Sequence, residues 1–68
     1  MNKEILEGKW KQLRGEVQKK WGELTNDDLD QIEGQSTKLA GKLQERYGYS
    51  KEEAEREIDK FMREMKDK

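Results

Sequence analysis

Cysteine and histidine are both absent from this 68-residue chain, and their absence closes off much chemistry. Without cysteine there is no disulfide staple, no thiolate nucleophile and no thiolate metal site. Without histidine, the triads and dyads that use imidazole as general base are out of reach. Thr25, Ser36, Thr37 and Ser50 remain, and each stands where a hydroxyl reads as a helix cap or turn residue. Apolar residues are scarce at 29%, against 46% charged. No stretch approaches the roughly 20 apolar residues needed to span a bilayer. The start, Met1-Asn2-Lys3-Glu4-Ile5, is charged and lacks the apolar run of a secretory signal. These absences predict a soluble, cytoplasmic, non-enzymatic protein with no cofactor and no bound metal.

Low hydrophobicity with high charge is also the composition of disordered chains. Two features oppose that reading. The net charge is only −1, and the apolar residues are strongly periodic. The expectation is one folded domain over residues 1–68, modestly stable because this length is near the lower limit for an unstapled core. The charge is segmented: six Lys/Arg against three acids in 1–21, then five acids and no base in 22–34. Three bases and one acid follow in 35–48, and six bases with seven acids in 49–68. Alternating segments favour packing of the chain's own helices over one large basic face.

Leu6, Trp10, Leu13, Val17 and Trp21 recur at spacings of four, three, four and four. At 100° per residue they fall within about 80° of arc, the mark of one helix from Lys3 to Trp21. Gly22 supplies a left-handed residue to end it. Thr25 and Asp28 then make a capping box for a second helix over about Asn26–Glu33, with Leu24 and Leu29 as its hydrophobic staple. Leu29, Ile32, Ser36, Leu39, Leu43 and Tyr47 continue one stripe through Gly34. Helices two and three are therefore either one kinked rod or two helices separated at Gly34. Gly34-Gln35-Ser36-Thr37 favours the break, with Gln35 or Ser36 as cap. Gly48 ends helix three, and Ser50 caps the fourth with Glu53 in the capping-box position. Ala54, Ile58, Phe61 and Met65, with Met62 beside them, form its buried stripe, and Lys66-Asp67-Lys68 should fray.

A shift of 26 residues sets Gly8 on Gly34, Leu13 on Leu39, Gly15 on Gly41, Val17 on Leu43, Trp21 on Tyr47 and Gly22 on Gly48. With one residue fewer in the second turn, Thr25 falls on Ser50, Asp28 on Glu53 and Leu29 on Ala54. The pattern predicts a duplication, with hairpin repeats over about 3–33 and 35–66. Three motifs carry a family resemblance as well: Gly8-Lys9-Trp10-Lys11-Gln12-Leu13-Arg14-Gly15, Trp21-Gly22-Glu23-Leu24-Thr25 with Asp27-Asp28, and Gly41-Lys42-Leu43-Gln44-Glu45-Arg46-Tyr47-Gly48. Together they resemble the CsbD-like family of small bacterial proteins associated with the general stress response. The resemblance runs from about residue 3 to 65. It implies an all-α fold of four short helices, as two duplicated α-hairpins packed crosswise in a SAM-domain-like way, and stress-induced expression. It implies no established biochemical activity, so it transfers no catalytic or binding residue.

Asp27-Asp28-x-Asp30 lacks the glycine and terminal glutamate of a calcium loop and reads as an acid-rich helix start. Nucleic-acid binding is the sharper alternative. Lys9, Lys11, Arg14, Lys19 and Lys20 line the first helix beside two tryptophans, and Gly48 with Ser50 resembles the phosphate-facing turn of helix-hairpin-helix modules. Against it, that turn leads into Glu52, Glu53, Glu55 and Glu57, the pI is near 5.5, and both tryptophans fall on the apolar stripe. A membrane-surface role needs a free apolar face on a basic helix, so no membrane partner is expected. Gly8, Gly15, Gly34 and Gly41 fall opposite the buried stripes, where either another helix or a partner chain (a protein partner or, by self-association, a second copy) approaches closely, or the helices are tuned to be marginal. The sequence predicts a protein that works by contact or protection, its partner unspecified.

Overall fold

The computed structural model describes the backbone of residues 3–66 and the side chains of residues 6–65. Every regular element in that span is helical. In chain order they are α1 (Lys3–Gly8), α2 (Trp10–Lys20), α3 (Asn26–Ile32), α4 (Ser36–Tyr47) and α5 (Lys51–Lys66). Five helices stand where the spacing predicts four, because the first is broken. The expected fraying at Asp67 and Lys68 lies outside the described residues, while Lys66 still belongs to α5.

The break falls at Lys9, which leaves helical geometry at φ −119° and ψ 20° and caps α2 without any side-chain hydrogen bond. Gly8, a poor helix former, immediately precedes it. A tertiary contact adds to this, 25 residues downstream at Gly34. A Cβ built there would stand 3.0 Å from the Glu7 Cα, 3.1 Å from the Trp10 Cβ and 3.2 Å from the Leu6 carbonyl oxygen. Bending at Lys9 lays α1 against that bare backbone and sinks Leu6 to 1% exposure. Gly34 is therefore buried, not on an outward face as its position in the repeat suggests.

The α3–α4 corner separates as the capping residues predict. Glu33 caps α3 in the left-handed region, φ 48° and ψ 34°, and Gly34 follows at φ 82°. A non-glycine there costs about 1–2 kcal/mol. The cost is offset by hydrogen bonds from Glu33 N–H to Leu29 O (3.2 Å) and from Gln35 N–H to Ile32 O (2.9 Å). Gln35 caps α4 through its backbone alone, and the Ser36 hydroxyl is buried with no hydrogen-bond partner.

Gly22 departs from expectation. The left-handed glycines are Gly34 and Gly48, and Gly22 is not among them. α2 ends instead at Trp21, whose N–H donates to Val17 O at 2.8 Å, and Leu24 N–H closes a four-residue turn on Trp21 O at 3.1 Å. That turn needs no positive φ. At the second corner Gly48 does take φ 71° and ψ 21° as C-cap of α4.

The core draws on all five helices. Val17, Ile32, Leu39, Leu43, Ala54 and Ile58 are fully buried, with Leu6, Leu24, Leu29 and Phe61 at 1% exposure. Each buried Leu, Ile or Phe contributes about 1.5–3 kcal/mol. α4 packs most extensively against α5 and next against α3. Leu24 and Leu29 bracket the α3 start as a staple would. Trp21 and Phe61, with ring centroids 5.3 Å apart and planes at 53°, join the end of α2 to α5 in a tilted aromatic pair. The α5 stripe of Ala54, Ile58, Phe61 and Met62 is buried, and Met65 packs at its edge.

Candidate functional site

The most connected polar cluster is built on Asp28. Thr25 precedes α3 in extended conformation, its Oγ1 accepts from the Asp28 N–H, and the Asp28 carboxylate accepts from the Thr25 N–H, each at 3.1 Å. That much is the capping box the sequence predicts. The structure adds α4. Arg46 donates from Nε to Oδ2 at 3.0 Å and from Nη2 to Oδ1 at 3.2 Å, the two-point fork that guanidinium makes with carboxylate. Lys42 Nζ lies 3.4 Å from Oδ1 and 3.8 Å from Glu45 Oε2. Asp28 is 2% exposed, so its desolvation is met by hydrogen bonds and two cations together.

Arg46, and next the Thr25 amide, hold the Asp28 carboxyl at about 2, below its ordinary 3.8. The same ion pair raises Arg46. Such a carboxylate stays ionised near neutrality and fully coordinated, so it is poorly suited to general acid–base work. Tyr49 is pushed up by burial, and next by Glu57 and Glu53. Its ring stacks on Tyr47 with centroids 5.4 Å apart and planes at 18°. No group of three metal-ligating carboxylates converges among the described residues.

The basic residues of the first two helices divide into separate places. Arg14 is tied to Asp30 by a 3.0 Å ion pair. Lys9 and Lys11 are exposed at the start of α2, and Lys19 and Lys20 at its end, about 15 Å away along the axis from Lys9 to Lys19. Lys20 Nζ lies 5.6 Å from the Trp21 ring centroid. The Glu23 N–H donates to the Tyr47 hydroxyl at 3.1 Å. That bond ties the turn after α2 to the end of α4, while Lys19 and Lys20 border a shallow hollow with Glu16, Phe61, Glu64 and Met65, toward the opposite end of α5 from Ser50. The Gly48 N–H already donates to Gln44 O at 3.0 Å, and Ser50 Oγ accepts from the Glu53 N–H at 3.1 Å. Trp21 is buried and Trp10 half-buried against the core.

Gly8, Gly15 and Gly41 have nothing within 4 Å of a built Cβ, so no part of this chain approaches them closely. Gly41 forms part of an open groove of about 520 Å³, with Gln31, Glu33, Lys38, Lys42 and Glu45. The sequence reading missed the Asp28–Arg46–Lys42 cluster. Its one available signal was that Lys42 and Arg46 stand four apart on α4, and so share a face. None of the helices is long and apolar enough to cross a membrane, among the described residues.

These features define a small, all-helical protein whose buried charge is committed to joining helices. The CsbD-like family matches residues 4–56, and the chain belongs to that family. A UPF0337 protein of Pseudomonas aeruginosa is 54% identical over 61 residues, covering 90% of this chain and 94% of the relative. The UPF0337 protein YjbJ of Escherichia coli is 52% identical over 61 residues, covering 90% and 88%. A UPF0337 protein of Bordetella pertussis is 54% identical over 61 residues, covering 90% and 92%. None of these names states an activity.

Proposed function

We propose that this protein is a non-catalytic, cytoplasmic stress-response protein that acts through macromolecular contact or protection. The observation that carries the reading is the saturation of Asp28. The one buried carboxylate among the described residues is taken up by Arg46, Lys42 and Thr25. What remains outside is a dense, nearly balanced set of exposed charges, with little net repulsion and suited to weak polar contact. The family resemblance supports the stress-response setting.

The same reading includes a single domain over residues 1–68, built as two duplicated hairpins packed crosswise, over about 3–33 and 35–66. Supporting the duplication, Thr25 and Ser50 both accept from the backbone N–H three residues on. A second reading, weak nucleic-acid binding, is favoured by one observation. Lys9, Lys11, Lys19 and Lys20 are all exposed and free to meet a phosphate backbone.

Two measurements separate the readings. In the first, a drying-sensitive enzyme is desiccated with an equimolar amount of this protein or of an inert control protein. Selective recovery of activity supports protection, and recovery equal to the control contradicts it. In the second, amide NMR spectra are recorded with short duplex and single-stranded DNA at low and physiological salt. Salt-sensitive shifts at Lys19, Lys20 and Gly48–Lys51 would move the nucleic-acid reading to first place, and unshifted spectra would remove it.

A further inference from the structure

Tyr47 and Tyr49, the only tyrosines in the chain, stack on each other at the second corner. Their ring centroids are 5.4 Å apart and their planes meet at 18°, so the nearly parallel rings are displaced sideways in an offset stack. Both residues are half-buried, which leaves part of the pair open to small solutes. Tyr47 ends α4, and its hydroxyl accepts from the Glu23 N–H at 3.1 Å. Tyr49 lies between α4 and α5, outside either helix, which leaves its ring free to close the remaining distance. Glu57 and Glu53 are near enough to act on its phenol. With no cysteine in the chain, no thiol competes for an oxidant, and Trp21 is withdrawn at 3% exposure.

We propose that Tyr47 and Tyr49 form an oxidative crosslinking site, where a one-electron oxidant joins the two phenols as dityrosine within a single chain. Each phenol gives one electron to the oxidant and loses its hydroxyl proton, for which Glu57 or Glu53 is an acceptor beside Tyr49. The two radicals then join by one C–C bond between the ring carbons next to the hydroxyls. The hydrogens on those carbons pass to the oxygens and restore both phenols. In all, two electrons and two protons leave, enough to reduce one hydrogen peroxide to two waters. Proximity decides the product. A ring already held in contact has an effective concentration far above that of any free chain, so coupling stays inside the molecule. A lone surface tyrosyl radical would instead couple two chains. The pair therefore consumes oxidising equivalents without polymerising the protein, and it is independent of both functional readings.

The test oxidises the intact protein with a photoexcited ruthenium(II) bipyridine complex and persulfate, each persulfate taking up two electrons. Trypsin cleavage after Arg46 and Lys51 releases Tyr47–Lys51, which holds both tyrosines and no other oxidisable side chain. Coupling within the chain predicts this peptide lighter by two hydrogens, with dityrosine fluorescence in the monomer band of a denaturing gel. The yield should fall several-fold in urea, where the stack is lost. Tyr49→Phe keeps a ring for the stack and leaves the Tyr47–Glu23 bond, and circular dichroism checks that it stays folded. It should lose the lighter peptide and form several-fold more covalent dimer. A wild-type peptide of unchanged mass would overturn the proposal, as would an equal yield in urea. So would wild type that forms as much covalent dimer as Tyr49→Phe.

Discussion

The two corners of this protein are written in the same grammar and used differently. Each follows an aromatic–glycine pair with a hydroxyl cap and an acid three residues on: Trp21-Gly22…Thr25…Asp28 and Tyr47-Gly48…Ser50…Glu53. At the second, glycine takes the left-handed region and Glu53 faces solvent. At the first, Gly22 does not, and Asp28 turns inward to hold Arg46 and Lys42 of α4. The residue pattern fixes where a helix starts. Whether the capping acid stays local or ties two helices together depends on what the other helix presents, and only the fold decides that.

Seven substitutions, in four steps, would break or sharpen this contrast. The largest effect is expected at Gly34. Gly34→Ala forces a side chain into a left-handed position and into backbone 3.0 Å away, and should cost about 2–4 kcal/mol by urea unfolding. Asp28→Asn comes next, at about 1.5–3 kcal/mol, because two cations and an amide lose a buried ionised acceptor. Its counterpart Glu53→Gln should stay within about 0.5 kcal/mol. Third, Gly48→Ala should cost about 1 kcal/mol for its positive φ, while Gly22→Ala changes the urea midpoint little. Last, Gly15→Ala and Gly41→Ala, both exposed and unobstructed, should each stabilise by about 0.5–1 kcal/mol. A clear loss of melting temperature there would instead reveal a partner lying on that face.

Much of the architecture was legible in the sequence because it is encoded locally. The stripe on α5, the Thr25–Asp28 box, the Ser50 cap and the break at Gly34 each need only residues within one or two turns. The misses share one cause, long-range contact. The break at Lys9 is flanked by residues that pack on Gly34, and no local window contains both. Gly34 looked outward by repeat arithmetic, yet α1 folds over it. Gly22 looked left-handed by analogy with Gly48, but the chain leaves α2 through a turn that does not require it. The Asp28 cluster was half visible: its cap partner is three residues away, and Arg46 is 18 away. The candidate lysines Lys9, Lys11, Lys19 and Lys20 are exposed, and their separation into two ends of α2 follows from its length.

The linkage between Asp28 and stability has a definite sign. Its folded pKa of about 2 lies below the ordinary 3.8, so its contribution is fully present above about pH 4 and fades as pH falls from 4 toward 2. Over that window stability rises with pH, and Asp28→Asn should remove that part of the dependence.

The account's central claim is that Asp28 joins α3 to α4 as a buried, fully paired anion. The most direct test is a carboxyl-carbon NMR titration of Asp28 in the intact protein. Paired as described, it should titrate near 2. A midpoint near the ordinary 3.8 would mean that Arg46 and Lys42 do not hold it in solution, and that the first corner is no more than a local cap like the second.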